Sequence, residues 1–207
     1  MKGHIVRGLA FTTALVALTA CASTRFTETW RNPNIAPEHF RKVVAMAVVG
    51  PATLRRVAED EIVRTLPAGE AIPSYQVLSD AEIRDPAQAL AHLRGAGFDG
   101  AITMRVLSDQ DKVRYVPGTT FPDFPTFLGY AWPPVYDPGY YVTDREVQVE
   151  TNVYALPSQQ LIWSGVSRTQ NPANFGAMAR EVAKGVRGRL ESQGILQACG
   201  DCGAGNS

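Results

Sequence analysis

Val43 to Val49 is an unbroken apolar run, closed by Gly50-Pro51, and it constrains the fold more than any other stretch. A strand with one wet face alternates, whereas a run with no polar residue needs cover on both faces. That is the habit of a central strand in a sheet flanked by helices. A helical period follows: Leu54, Val57, Ala58, Ile62 and Leu66 share one face, and Pro67 stops it. Arg55, Arg56, Glu59, Asp60 and Arg64 share the other face. Arg55 with Glu59, Arg56 with Asp60 and Asp60 with Arg64 stand at i,i+4, where a pair contributes about 0.2–0.5 kcal/mol, so this face is expected to be solvated.

Ile72 to Leu78 predicts a second, shorter strand. Asp85-Pro86 offers an N-cap and a first-turn proline for a helix with Ala89, Leu90 and Leu93 inward, ended near Gly95 to Gly97. Gly100 to Leu107 returns as a strand. Thr143 to Ala155 alternates, with Val147, Val149, Thr151, Val153 and Ala155 on one side, and the turn Pro157-Ser158-Gln159 joins it to Gln160–Thr169 as a hairpin. Asn171-Pro172 is expected to open a last helix, on which Phe175, Met178, Ala179, Val182, Val186 and Leu190 form a core stripe ending before Gly194. The fold class is α/β (α+β): a mixed sheet in the order β-α-β-α-β-(long loop)-β-β-α, with helices packed on it.

Composition changes abruptly between Tyr115 and Thr143. Half of the chain's 18 aromatic residues fall there, interleaved with Pro117, Pro122, Pro125, Pro133, Pro134 and Pro138, a density that excludes a regular helix or central strand. A loop of this length in a compact domain is uncommon unless functional or disordered. Tyr and Trp give wide contact area at low entropic cost, so Tyr130, Trp132, Tyr136, Tyr140 and Tyr141 are the candidate binding residues. Two readings stay open: a surface for protein contact, or a lid of rings that completes the core.

Chemistry is sparse elsewhere. His39 and His92 stand in unrelated contexts, and no Walker loop, dinucleotide fingerprint, calcium loop or His-Glu-x-x-His motif occurs. Glu59 with Asp60, and Asp109 with Asp111, read as solvated carboxylates rather than acid–base pairs. Cys199 and Cys202, in Cys-Gly-Asp-Cys after the last helix, are expected to form a structural disulfide or a loose tail, since a zinc site would need two more ligands. No enzyme activity, cofactor or metal is expected.

At the start of the chain, Lys2 and Arg7 precede an apolar stretch from about Leu9 to Ala20, too short for a bilayer span, and Leu18-Thr19-Ala20 leads into Cys21. This resembles the bacterial lipoprotein motif, which implies lipidation of Cys21 and a mature start there. Ala22 in place of Asp favours the outer membrane with the domain facing the periplasm. A triacylated cysteine holds firmly, each buried methylene contributing about 0.8 kcal/mol. Removing the leader leaves 18 basic against 20 acidic side chains, a balance that disfavours nucleic acid. The expected organisation is a signal peptide over 1–20, a lipidated tether over 21–38 with Trp30 folding back on the domain, a single α/β domain over 39–196 with its loop at 115–143, and a Cys/Gly tail over 197–207. The partners expected are membrane lipid, through Cys21, and an envelope protein.

Several short stretches carry a wider resemblance: Thr29-Trp30-Arg31-Asn32-Pro33, Arg41-Lys42-Val43-Val44, Arg55-Arg56 with Glu59-Asp60, Gly97-Phe98-Asp99-Gly100, and Leu161-Ile162-Trp163-Ser164. Over nearly its whole length the chain resembles a group of uncharacterised bacterial outer-membrane lipoproteins. Its core order is similar to the α/β domain of the curli-secretion lipoprotein, of the amino-terminal part of the Tol system's propeller protein, and of the lipoprotein activator of penicillin-binding proteins. The resemblance implies non-catalytic binding or scaffolding in the cell envelope; the alternative is a small-molecule or glycan binder using the aromatic loop.

Overall fold

The computed structural model describes residues 23–35, 40–67, 71–118 and 139–196. Among the described residues six strands form one mixed sheet in the order β1-β6-β5-β4-β2-β3. They are β1 (Ser23–Arg31), β2 (Val43–Val48), β3 (Ala71–Pro73), β4 (Gly100–Val116), β5 (Tyr140–Ala155) and β6 (Gln160–Gln170). The helices are α1 (Ala52–Thr65), α2 (Asp80–Arg84), α3 (Pro86–Gly95) and α4 (Phe175–Ser192). Strand β2 runs parallel to β3 and β4, and the other pairings are antiparallel.

The apolar run does what its composition demands. Val43 and Ala45 face the α1 and α4 side with Ile62, Leu66, Val149, Trp163, Val182 and Leu190, while Val44 faces Leu93, Phe98, Ala101 and Leu156 under α3. Trp163 is fully buried. An added Cβ at Gly165 would run into its indole ring, so glycine there makes the room.

Four expectations change. Residues 23–31 are not tether but edge strand β1, paired with β6 from Ser23↔Gln170 to Arg31↔Trp163. Its short polar sequence shows no period because it is a bulged edge strand, broken between Phe26 and Glu28, and its order comes from partners distant in sequence. Thr24 Oγ1 meets Thr169 Oγ1 at 2.8 Å, Phe26 fits against α4 where Gly185 has no Cβ, and Arg189 lies 3.8 Å over the Phe26 ring. Trp30 sits on this strand opposite Ser164, on the domain as expected, and is about half exposed. The strand expected over 72–78 shortens to β3, because Ser74–Gln76 turns as a 3-10 helix that brings Ser74 and Tyr75 to Glu59. A short helix, α2, follows it, opened by Ser79 and Glu82 in a capping box.

The last helix begins at Phe175, capped by Asn174, whose Oδ1 accepts from Ala177 N at 2.8 Å. Asn171 has another use. With φ of 47° it ends β6, accepts from Arg145 N and donates to Asp144, both at 2.8 Å. Finally, α1 does not have a uniformly solvated polar face. Glu59 is fully buried and accepts from Ala47 N (3.2 Å), Ser74 Oγ (2.7 Å) and Tyr75 N (3.2 Å), with Arg55 Nε 4.0 Å away. Glu61 is buried too, holding Arg180 of α4 through two 3.0 Å bonds. The side that looked like surface is where α1 meets β2, the 3-10 turn and α4.

Candidate functional site

Two features at one end of the sheet could carry function: a projecting arm and a cleft at its root. The arm is the far half of the β4–β5 hairpin. Pairing of β5 with β6 stops at Glu146↔Gln170 and pairing of β2 with β4 stops at Val48↔Arg105, yet β4 and β5 continue together from Asp111↔Arg145 to Val116↔Tyr140. Six further pairs extend the ribbon roughly 20 Å beyond its neighbours. Tyr115, Val116 and residues 140–143, expected in the loop, are therefore ladder residues, and the intervening segment narrows to 117–139.

A bulge between Val106 and Ser108 resets the alternation. It places Asp109, Asp111, Val113 and Tyr115 on the same side as Val106, opposite Val147, Arg145, Thr143 and Tyr141. The covered face thus runs on, uncovered, along the arm. On that face Val113 is 67% exposed and Tyr141 75%, while Tyr140, on the other face, is 60% exposed. Tyr115 and Tyr141 pack ring to ring at 5.1 Å.

Ion pairs hold this ribbon where strands do not. Arg145 donates from Nε and Nη2 to the two Asp109 oxygens at 2.8 and 2.6 Å. Those bonds keep the Asp109 carboxyl below the usual carboxylate range and raise the guanidinium. Lys112 Nζ donates to Glu146 Oε1 at 2.8 Å, the main cause of that carboxyl's lowered pKa, and Arg168 lies 3.5 Å from the same oxygen. Arg114 and Asp144 stand 3.7 Å apart.

At the arm's root lies a cleft of about 700 Å³, between the starts of α1 and α4 and above the end of β2 and the middle of β4. Val48, Val49, Leu54, Ile83, Val106, Val147, Phe175 and Met178 give it an apolar wall, and Arg55, Asp109 and Arg145 are its charged lining. It sits at the carboxyl end of β2, where the chain leaves through α1 for β3 on one side and returns through α3 to β4 on the other. Such a reversal of strand order is where open α/β sheets place their ligands. The sequence signal was available in Gly50-Pro51 ending the apolar run, read there only as a boundary.

Of the candidate binding residues, Tyr140 and Tyr141 stand together on the arm, their side chains on opposite faces as neighbours on a strand must be. Tyr130, Trp132 and Tyr136 lie outside the described residues, as do Cys21, Cys199, Cys202 and His39. His92 is on the surface of α3, its Nδ1 2.6 Å from Glu82 Oε1. That carboxyl is pulled down to about 2 by its bonds from Ser79, with His92 adding to them. Among the described residues no group of three His, Cys, Asp or Glu side chains is arranged to hold a metal, and no helix is long and apolar enough to cross a membrane. Asp109 in the cleft accepts one hydrogen bond from Arg145 at each carboxylate oxygen.

No protein-family model matches the chain, and no curated protein matches it. Among solved structures it is similar to the PelC dodecamer from Paraburkholderia phytofirmans, at 14% identity and a TM-score of 0.44, covering 86% of this chain and 99% of that one. It is also similar to lipoprotein GNA1162 from Neisseria meningitidis, at 10% identity and a TM-score of 0.37, covering 73% and 98% respectively. A likeness of this degree passes neither role nor residue to this chain.

Proposed function

We propose that this protein is a lipid-anchored component of the bacterial outer membrane, facing the periplasm, that binds or scaffolds an envelope protein without catalysis. The observation that carries the reading is the arm, a two-stranded ribbon that presents Val113, Tyr140 and Tyr141 to solvent. Apolar and aromatic side chains grouped on a protruding, ion-paired support fit a protein contact, where Tyr contributes area at low entropic cost.

The anchor reading rests on Leu18-Thr19-Ala20-Cys21. The register of β1 sets the end of the domain from which such an anchor would hold it. Ser23, two residues past Cys21, pairs with Gln170, which faces Glu146 where the arm leaves the sheet. Chain attached at Cys21 would approach from the arm's end of the domain, so a partner at the membrane is within the arm's reach.

Photocrosslinking amino acids placed singly at Tyr140 and Tyr141 of the full chain, in growing cells, test the contact. One discrete adduct containing the same protein from both positions, and none from Arg94 on α3, is expected. Uncrosslinked monomer from all three positions overturns the arm as a contact surface. The anchor has its own test: mass spectrometry of the mature amino end should find acylated Cys21, and an unmodified end released on osmotic shock contradicts it.

A further inference from the structure

We propose that the cleft at the carboxyl end of β2 binds a long-chain fatty acid, its aliphatic chain against Val48, Leu54, Val106 and Met178 and its carboxylate at Arg55. The inference goes beyond the envelope reading and depends on neither the anchor nor the arm's contact. A volume of about 700 Å³ lies within the size range of small-molecule sites. The position, at a reversal of strand order, is one where such sites recur.

The lining selects the chemistry. Its wall is mostly aliphatic, and Phe175 is the one aromatic ring among the described lining residues. A glycan needs flat aromatic faces and several convergent hydrogen-bonding groups, which this wall does not offer. A flexible alkyl chain needs only apolar contact, and Val48, 64% exposed at the mouth, continues the apolar surface outward.

The polar end is equally specific. Asp109 and Arg145 neutralise one another through two hydrogen bonds, so the pair brings no net charge to the cleft. Arg55 is different. A guanidinium has five N–H donors, and this one makes a single hydrogen bond, 3.3 Å to Asp80 Oδ1, whose side chain is largely in water. Its Nε is buried with no hydrogen-bond acceptor, and the nearest carboxylate oxygen, on Glu59, is 4.0 Å away and already accepts from Ala47 N and Ser74 Oγ. A buried donor without an acceptor calls for an explanation. Arg55 also lines the cleft, and its N–H donors beyond the one given to Asp80 offer an entering carboxylate the paired geometry that arginine favours.

The test uses the full chain in phosphatidylcholine nanodiscs with a diazirine-bearing hexadecanoic acid as the photoprobe. Saturable adducts are expected on peptides carrying Val48, Leu54 and Met178, competed about tenfold better by hexadecanoate than by hexadecanol, as a charge-assisted bond to arginine would give. Arg55→Met should erase that preference and leave competition by the alcohol unchanged, a pattern that mere destabilisation would not produce. Val106→Trp, which fills the cleft from its wall, should remove labelling altogether. The proposal is overturned by unsaturable labelling spread over the surface. It is equally overturned if the wild-type protein takes acid and alcohol alike, a result that needs no variant to fold.

Discussion

Strands β4 and β5 are one hairpin with two environments. From Gly100 to Val106 and from Val147 to Ala155 the ribbon has β2 and β6 beside it and helices above, and its inward residues Ile102, Met104, Val147, Val149 and Val153 are all buried. From Asp111 to Val116 and from Tyr140 to Arg145 the ladder continues without those neighbours, and the same inward side shows Val113 and Tyr141 to solvent. A two-stranded ribbon alone is marginally stable in water. Here it is tied at the root by Asp109–Arg145 and Lys112–Glu146 and by Asn171 reaching Arg145 and Asp144. The lesson is that alternation fixes which side of a strand is inward, while the neighbouring elements decide whether inward means buried. Aromatic residues kept on an uncovered inward face contribute little to the fold that presents them, which frees them for contact.

Substitutions can widen or close the gap between the halves. The largest effect belongs to Trp163→Ala in the covered half, which empties the space beside Gly165 and should cost about 4 kcal/mol in denaturant unfolding. Glu59→Ala comes next. It strips acceptors from Ala47 N, Ser74 Oγ and Tyr75 N and leaves Arg55 without its buried counter-charge, a loss of about 3 kcal/mol by the same measurement.

Acid should separate the halves as well. Glu61 is held below its ordinary pKa of 4.5, first by Arg180 and also by Arg64. A carboxyl lowered in the folded state adds stability above its unfolded pKa and loses it as pH falls through the folded value. Melting temperature should therefore decline below about pH 4.5, and Glu61→Gln should flatten that decline while lowering the plateau. Asp109 is lowered too, but its pair is exposed at the arm's root, so Asp109→Asn should leave the melting curve nearly unchanged. The smallest effect on stability belongs to Tyr141→Ala, within about 0.5 kcal/mol of wild type. A substantially larger loss would mean that the arm supports the fold, and the contrast would fail.

Much of this architecture is legible in the residues. Val43–Val49 announces a strand covered on both faces, Thr143–Ala155 one covered on a single face, and the stripe from Phe175 to Leu190 the helix that covers it. The misses share a cause. Strand β1, the buried Glu59 and the long ladder of the arm all depend on partners distant in sequence: β6 for Ser23–Arg31, the 3-10 turn for the carboxylate, and Val116 for Tyr140. A polar residue reads as solvated until its partner is known. The cleft was missed for a related reason, since strand order, and with it the point where the order reverses, is a property of pairing rather than of any one segment.

Hydrogen exchange at the arm, measured on the full chain in native envelope membranes and again after purification in detergent, tests the central claim most directly. The amides of 111–116 and 140–145 should be protected in the membranes and exchange rapidly once purified, while those of β2 and of β5 from Val147 to Ala155 stay equally slow in both. Equal exchange of the arm in the two preparations would contradict the claim that it exists to be bound.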